Sequence, residues 1–339
     1  LTLVGPGSEV TALPGSPATL SGSVAYLNEG DTVTVDWGDG SVEMLDASSI
    51  DTVFDSFAAE HTYAEQGIYE VVVTVADSDG SDTEAVDAVI SGIGLGDDGV
   101  LQVVGTAGND KVFSGAFYNK VWVLAKLDGV GWQGKWLKAS DVTSLDLTLG
   151  AGDDFAKVSK RLHLPATIVA GGGDDVIIGG SGDTTVFGGA GSDILITRGG
   201  NDLLNGGEGS DVLSAGGGVD VLDGQDGADI LIGGLDADTL LDSSGDDIVI
   251  GGTTIYDRNI CALRKLIGVW SSDQSFAQRV AAIESGSQSS GVRLEAGVTV
   301  FDDGTVDTFG TNELGDHDWF FADVAEETGA STDDVVSEL

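Results

Sequence analysis

Gly188-Gly189-Ala190-Gly191-Ser192-Asp193-Ile194-Leu195-Ile196 and Gly206-Gly207-Glu208-Gly209-Ser210-Asp211-Val212-Leu213-Ser214 are two copies of one nine-residue unit. Its form is G-G-x-G-x-D-x-U-x, with U a large aliphatic residue. Nine such units run from Ala170 to Ile250 without insertion or deletion. The sixth position reads Asp175, Thr184, Asp193, Asp202, Asp211, Asp220, Asp229, Asp238, Asp247. The eighth reads Ile177, Val186, Leu195, Leu204, Leu213, Leu222, Leu231, Leu240, Val249, aliphatic every time.

A glycine-rich half followed by three apolar residues is a turn followed by a short strand, whose middle side chain points opposite to its neighbours. One unit cannot bury its single aliphatic side chain, so the units must stack into a continuous core. Two units make one coil of 18 residues, with strands on two opposite faces and turns along two edges. Glycine permits the turn torsions and close stacking that a side chain would block. The aspartate closing each turn sits beside main-chain carbonyls and above its counterpart one coil earlier. Carboxylate and carbonyl oxygens at regular spacing are hard ligands suited to calcium. Aspartate is also common in turns for its own sake. Stacked carboxylates without a cation would repel one another, however, and Arg198 is the only Lys or Arg between Ala170 and Ile250.

These units resemble the RTX nonapeptide family of secreted bacterial proteins. That resemblance implies a parallel β-roll holding calcium between successive turns. Carried over by position, one edge aligns Asp175, Asp193, Asp211, Asp229 and Asp247, and the other Asp202, Asp220 and Asp238, with Thr184 as a gap. The expectation is four inter-turn sites on the first edge and two on the second, about six calcium ions or more. Asp154 extends the first edge, although its turn lies 21 residues before the next rather than 18. The carbonyl-bearing positions Gly171, Gly173, Gly188, Ala190, Gly206, Glu208, Gly224 and Asp226 complete the ligand set that the resemblance implies.

The 339 residues include 53 Gly, and 57 Asp and Glu stand against 14 Lys and Arg, a formal charge of −43. Such a charge argues against nucleic acid and unaided binding to anionic membranes, and favours divalent cations. A hydrophobic fraction of 41% with strict patterning argues against disorder. Cys261 is the only cysteine, so no internal disulfide forms. No stretch is long enough to span a membrane. The chain begins at Leu1 without a signal-type segment and is expected to be a mature or excised form. Residues 1–92 hold 17 acids and no base, eight of the 14 bases lie between Lys111 and Arg161, and residues 299–339 hold 12 acids and no base.

Residues 1–92 read as regularly spaced short strands, the pattern of a β-sandwich. Trp37-Gly38-Asp39-Gly40, His61-Thr62-Tyr63 and Gly67-x-Tyr69 resemble a PKD-type immunoglobulin-like domain, which implies a spacer or adhesion module without chemistry of its own. The polar turn Asp77-Ser78-Asp79-Gly80 follows the strand from Tyr69 to Val75, and His61 is expected to be structural. Residues 93–169 carry two isolated repeat-like turns, at 105–110 and 149–154, with longer aromatic strands between them. They are expected to form the N-terminal end of the roll as wider coils that cap its first layer. Ile260, Leu263, Ile267 and Trp270 share one helical face and Phe276, Val280 and Ile283 another, so residues 258–284 read as a helical hairpin. Asp257 and Ser272 or Asp273 are its expected N-caps. Residues 298–307 return to extended structure. Asp318-Trp319-Phe320-Phe321 resembles the closing turn of RTX-type rolls, but Glu313-Leu314-Gly315-Asp316-His317 replaces its glycines, so capping rather than calcium binding is expected of Asp318.

The fold expected is mainly β: an immunoglobulin-like sandwich (1–92), the cap and first coils (93–169), the roll (170–252), and a helical hairpin with C-terminal cap (253–339). One outer face of the roll reads Val176, Ile178, Ile194, Ile196, Val212, Ser214, Ile230, Ile232, Ile248 and Ile250, aliphatic in nine of ten places. This stripe exceeds the roughly few hundred Å² that soluble monomers leave exposed, so something must cover it. The helical hairpin, a second subunit in a homopolymer, or the N-terminal sandwich could each do so. The three histidines, His61, His163 and His317, lie far apart, and neither H-E-x-x-H nor G-x-S-x-G occurs. A non-catalytic, exported, calcium-binding component of a cell surface, fibre or matrix is therefore expected. Its basic cap region and acidic tail could pair head to tail. The alternative is the calcium-binding accessory portion of an exported hydrolase.

Overall fold

A computed structural model describes residues 2–6, 10–25, 31–45, 50–51, 56–76, 80–96, 98–241, 244–286, 291–310, 317–322 and 335–338. The chain forms two compact units, residues 1–94 with 102–106, and residues 95–101 with 107–339.

The first unit is a two-sheet β-sandwich, as the alternating strands require. Thr32–Asp36, Gly67–Ala76 and Ser81–Ile90 lie in one sheet, and Pro17–Ala25 and Ser56–Thr62 in the other. The inward positions Val33, Val35, Val71, Val73 and Val75 are fully buried with Trp37 and Tyr63. The Tyr63 hydroxyl donates to the Trp37 carbonyl at 3.0 Å. His61 stacks on the Trp37 ring, with centroids 5.0 Å apart, and its Nε2 lies 2.7 Å from Asp39 Oδ2. Both contacts tie His61 to the Trp37-Gly38-Asp39 turn. Gly38 is required because a Cβ there would lie 2.6 Å from the Glu70 carbonyl oxygen, at a φ of +76°. Of the expected 77–80 turn, Asp77 to Asp79 lie outside the described residues.

The second unit is the parallel roll. One sheet stacks Ser144–Ala151, Ala166–Gly172, Thr184–Ala190, Leu203–Glu208, Val221–Asp226, Thr239–Leu241 and Thr308–Phe309. The other stacks Phe155–Val158, Val176–Ile178, Ile194–Ile196, Val212–Gly217, Ile230–Leu235, Ile248–Ile250, Trp319–Ala322 and Val335–Glu338. Paired residues within the repeat are 18 apart, as Ile177↔Leu195 and Val186↔Leu204 show. All nine eighth-position side chains are fully buried between the sheets.

The end of the roll before Phe155 differs from the expected wider coils. Lys111–Phe117, Lys120–Leu127 and Gly131–Lys138 form an antiparallel meander, because tight turns at 118–119 and 128–130 reverse the chain. Lys111–Phe117 joins Phe155–Val158 in parallel.

The aliphatic stripe is covered within the chain. Two helices, α1 (Ile260–Trp270) and α2 (Phe276–Glu284), follow the last repeat. Ala262, Leu263, Leu266, Ile267, Trp270 and Ile283 pack on Val176, Ile178, Ile194, Ile196, Val212, Ile230, Ile232, Ile248 and Ile250 in one buried cluster. Val292, Leu294, Val300, Trp319 and Phe321 complete it. Self-association through this face is thus corrected: its side chains are at most 7% exposed. The helix caps also differ from expectation. The Asn259 side chain accepts from Ala262 N–H, and the Gln278 side chain accepts from Ser275 N–H. Asp257 turns back to accept from Thr254 N–H instead.

Candidate metal centre

Every sixth-position aspartate of the repeat is buried, and one oxygen of each is already engaged. The N–H of Asp154 donates to Asp175 Oδ1 at 2.7 Å, Asp175 to Asp193 at 2.8 Å, and Asp193 to Asp211 at 2.7 Å. Asp211 donates to Asp229 and Asp229 to Asp247 in the same way. The second edge repeats the pattern from Thr184 through Asp202 and Asp220 to Asp238. A backbone amide one coil earlier thus uses Oδ1 and fixes the carboxylate rotamer.

The other oxygen is what the site offers. Oδ2 of Asp154, Asp175, Asp193, Asp202, Asp211, Asp220, Asp229 and Asp238 is buried and makes no hydrogen bond. A buried carboxylate oxygen left in this way costs free energy unless a cation or proton meets it. The glycines make the space. A Cβ on Gly233 would lie 2.6 Å from both Asp238 Oδ2 and the Gly251 carbonyl oxygen, so the two oxygens flank one small volume. Gly188 stands in the same relation to Asp193 Oδ2 and the Gly206 carbonyl, and Gly206 to Asp211 Oδ2 and the Gly224 carbonyl. Gly171 and Gly173 present their carbonyls to Gly189 and Gly191 of the next coil, at φ of +113° and +127°. Among the described residues no three His, Cys, Asp or Glu side chains converge on a metal position. The donor set is instead one carboxylate per turn with main-chain carbonyls, all hard oxygen, and it fits calcium.

The third-position carbonyls have another role. Those of Ala190, Glu208 and Asp226 accept the N–H of Gly173, Gly191 and Gly209 at 2.7–2.8 Å, within the inter-coil ladder. The sequence pattern shows which residues carry the turn carbonyls but not which of those carbonyls the ladder uses.

Electrostatics follow from burial without a counter-charge. Asp193, Asp229 and Asp238 are pushed up to about 8, first by desolvation and then by neighbouring carboxylates. Desolvation likewise lifts Asp154, Asp211 and Asp220 to about 7, and Asp175 and Asp202 to about 6.

The ladder is longer than the nonapeptide array. Asp154 N–H follows the pattern across its 21-residue step, and Asp110 N–H donates to Asp154 Oδ1 at 2.6 Å. At the far end, Asp238 N–H donates to Asp307 Oδ1 at 2.8 Å across 69 residues, and Asp247 N–H to Asp318 Oδ1 at 2.7 Å across 71. Both steps are one coil in space, with the helical hairpin inserted between. Asp307 was not among the expected site residues. Asp318, expected only to cap, occupies a ladder position, while the Glu313–Asp316 part of its turn lies outside the described residues.

The Thr184 gap is also built. Arg198, in place of a second-position glycine, sends Nη1 to the carbonyls of Gly179 at 2.5 Å and Val158 at 3.2 Å. The one base of the array therefore occupies carbonyls at the level where the carboxylate is missing.

Comparison with known families agrees with this architecture. Residues 2–90 match the PKD domain. Four copies of the RTX calcium-binding nonapeptide repeat match at residues 167–195, 187–222, 196–231 and 223–253. No curated protein matches the chain. The chain therefore carries an N-terminal PKD domain followed by an RTX calcium-binding nonapeptide-repeat roll.

Proposed function

We propose that this is a non-catalytic exported protein whose roll is completed by calcium and which serves as a structural or adhesive component of a cell surface, fibre or matrix. The observation that carries the reading is the row of buried, unpaired Oδ2 atoms set against main-chain carbonyls. A bound calcium supplies the positive charge those oxygens need. Asp175, Asp193, Asp211, Asp229 and Asp247 would hold it on one edge, and Asp202, Asp220 and Asp238 on the other. The chain's own residues set the geometry: the amide ladder orients each carboxylate, and glycine keeps the space beside it clear.

Where calcium is scarce, repulsion among these carboxylates keeps the array loose. At the roughly millimolar levels typical outside cells the same residues close the roll. No helix among the described residues is long and apolar enough to cross a membrane. The PKD domain, a module typical of extracellular proteins, fits the same setting.

Electron microscopy of the calcium-loaded protein tests the assembly role. Filaments, lattices or decorated surfaces are expected. Particles that stay monodisperse and monomeric at every concentration would contradict it and favour an accessory portion of an exported hydrolase.

A further inference from the structure

The meander at the start of the roll carries a surface unlike the rest of the molecule. Lys111–Phe117, Lys120–Leu127, Gly131–Lys138 and Phe155–Val158 contain no Asp or Glu, in a chain of formal charge −43. The register places the outward side chains in rows. Gly115, Trp122 and Trp136 form one, and Phe117, Lys120 and Lys138 the next. Gly115 seats the first indole: a Cβ there would lie 2.8 Å from the Trp122 ring. Trp136 is 61% exposed and Phe117 55%, more than isolated surface apolars require. Tyr118, in the two-residue turn between the first two strands, has a φ of 53° and is 91% exposed.

A cleft of about 560 Å³ opens on these rows, lined by Phe117, Trp122, Trp136, Ser159, Lys160 and Arg161. Its last three residues belong to the loop that makes the Asp154 step 21 residues instead of 18. The insertion thus brings two cations beside two indoles.

We propose that this cleft binds an acidic glycan, a chain of pyranose rings bearing carboxylates or sulfates. The C–H faces of pyranose rings stack on indoles, and their anionic groups meet Lys160, Arg161, Lys120 and Lys138. The two other polyanions fit less well. A nucleic acid carries about one charge per 1.7 Å of duplex and would extend from this short patch onto the acidic edges of the roll. An acidic peptide needs the cations but leaves the aromatic rows unused. The distant carboxylates do not prevent glycan binding, because their field is screened over about 8 Å at physiological salt. The proposal deepens the adhesive reading above by naming a partner class, and it does not depend on how many calcium ions the roll holds.

The test uses the calcium-loaded full chain, its fold checked by circular dichroism. Titration calorimetry and tryptophan fluorescence follow binding of hyaluronan, chondroitin sulfate and polygalacturonate oligosaccharides. An uncharged cello-oligosaccharide serves as the charge control, and oligothymidine and phosphatidylglycerol vesicles as rival anions. Saturable binding of at least one acidic glycan is expected, weakening with salt. Trp136→Ala should lower affinity about tenfold or more, and Lys160→Glu with Arg161→Glu should abolish it, both with unchanged circular dichroism. Failure of every acidic glycan to bind, or unchanged affinity in Trp136→Ala, would overturn the proposal. So would binding of the oligonucleotide or vesicles in place of the glycans, or sedimentation showing the cleft closed by a second copy of the chain. Because calcium dependence of the fold is read separately, a negative result here leaves that reading intact.

Discussion

Asp211 shows how one residue serves both the fold and the ion. Its Oδ1 accepts the Asp193 amide, while its Oδ2 is buried beside Gly206 and meets nothing. Asparagine keeps the acceptor and removes the charge. Asp211→Asn should therefore melt higher than wild type in chelator, where a repelling charge is lost, and lower in calcium, where a ligand is lost. Equal melting shifts of one sign in both conditions would show that the residue does not ligate. The pH dependence follows from the same groups. Their folded-state values lie above the ordinary carboxylate value of about 4, so the calcium-free fold binds more protons than the unfolded chain. That stability is complete below about pH 4 and is lost as pH rises through about 6 to 8. Calcium competes with those protons, so its affinity should rise over the same interval. Thermal melts from pH 5 to pH 8 should fall without calcium and hold or rise with it. The sixth-position aspartates were legible in the sequence because the period is strict. Their division into an engaged and an open oxygen was not, because it depends on the amide of the neighbouring coil.

At the scale of elements, the hairpin is what the repeat pattern left open. Periodicity shows which side chains leave the roll, but it does not show what meets them. The structure answers with α1 and α2, fixed at Asp246, which pairs with Arg279 while its carbonyl accepts the Trp270 indole N–H at 2.6 Å. Arg279 also lies over the Trp270 ring, 4.7 Å from its centroid. Trp270→Ala should destabilise the second unit by about 3–5 kcal/mol, the usual cost of a buried tryptophan. It should also release the aliphatic stripe and cause concentration-dependent association, read by sedimentation velocity. A variant that stays monomeric and equally stable would show that the hairpin does not hold the cover. The same insertion explains why Asp307 escaped the sequence reading. Its partner Asp238 is 69 residues away rather than 18, so the period is continuous in space and broken in the chain.

For the whole molecule, the formal charge of −43 is arranged rather than diffuse. Part of it is stacked at buried positions along the two edges of the roll, where solvent cannot screen it. The sandwich, the parallel roll and the existence of a hairpin were all legible from strand alternation, the nine-residue period and one change of period. The antiparallel meander was legible only in part: Asp128-Gly129 is a hairpin-turn signal, but the turn at 118–119 is Tyr118-Asn119, without glycine. The central claim is that the roll and its calcium form together. Circular dichroism and thermal melting at pH 7.5, with calcium and after EGTA, test it most directly. Loss of most of the roll's β-signal, or a large fall in melting temperature that added calcium restores, is the expected result. An unchanged spectrum and melting temperature after chelation would contradict it.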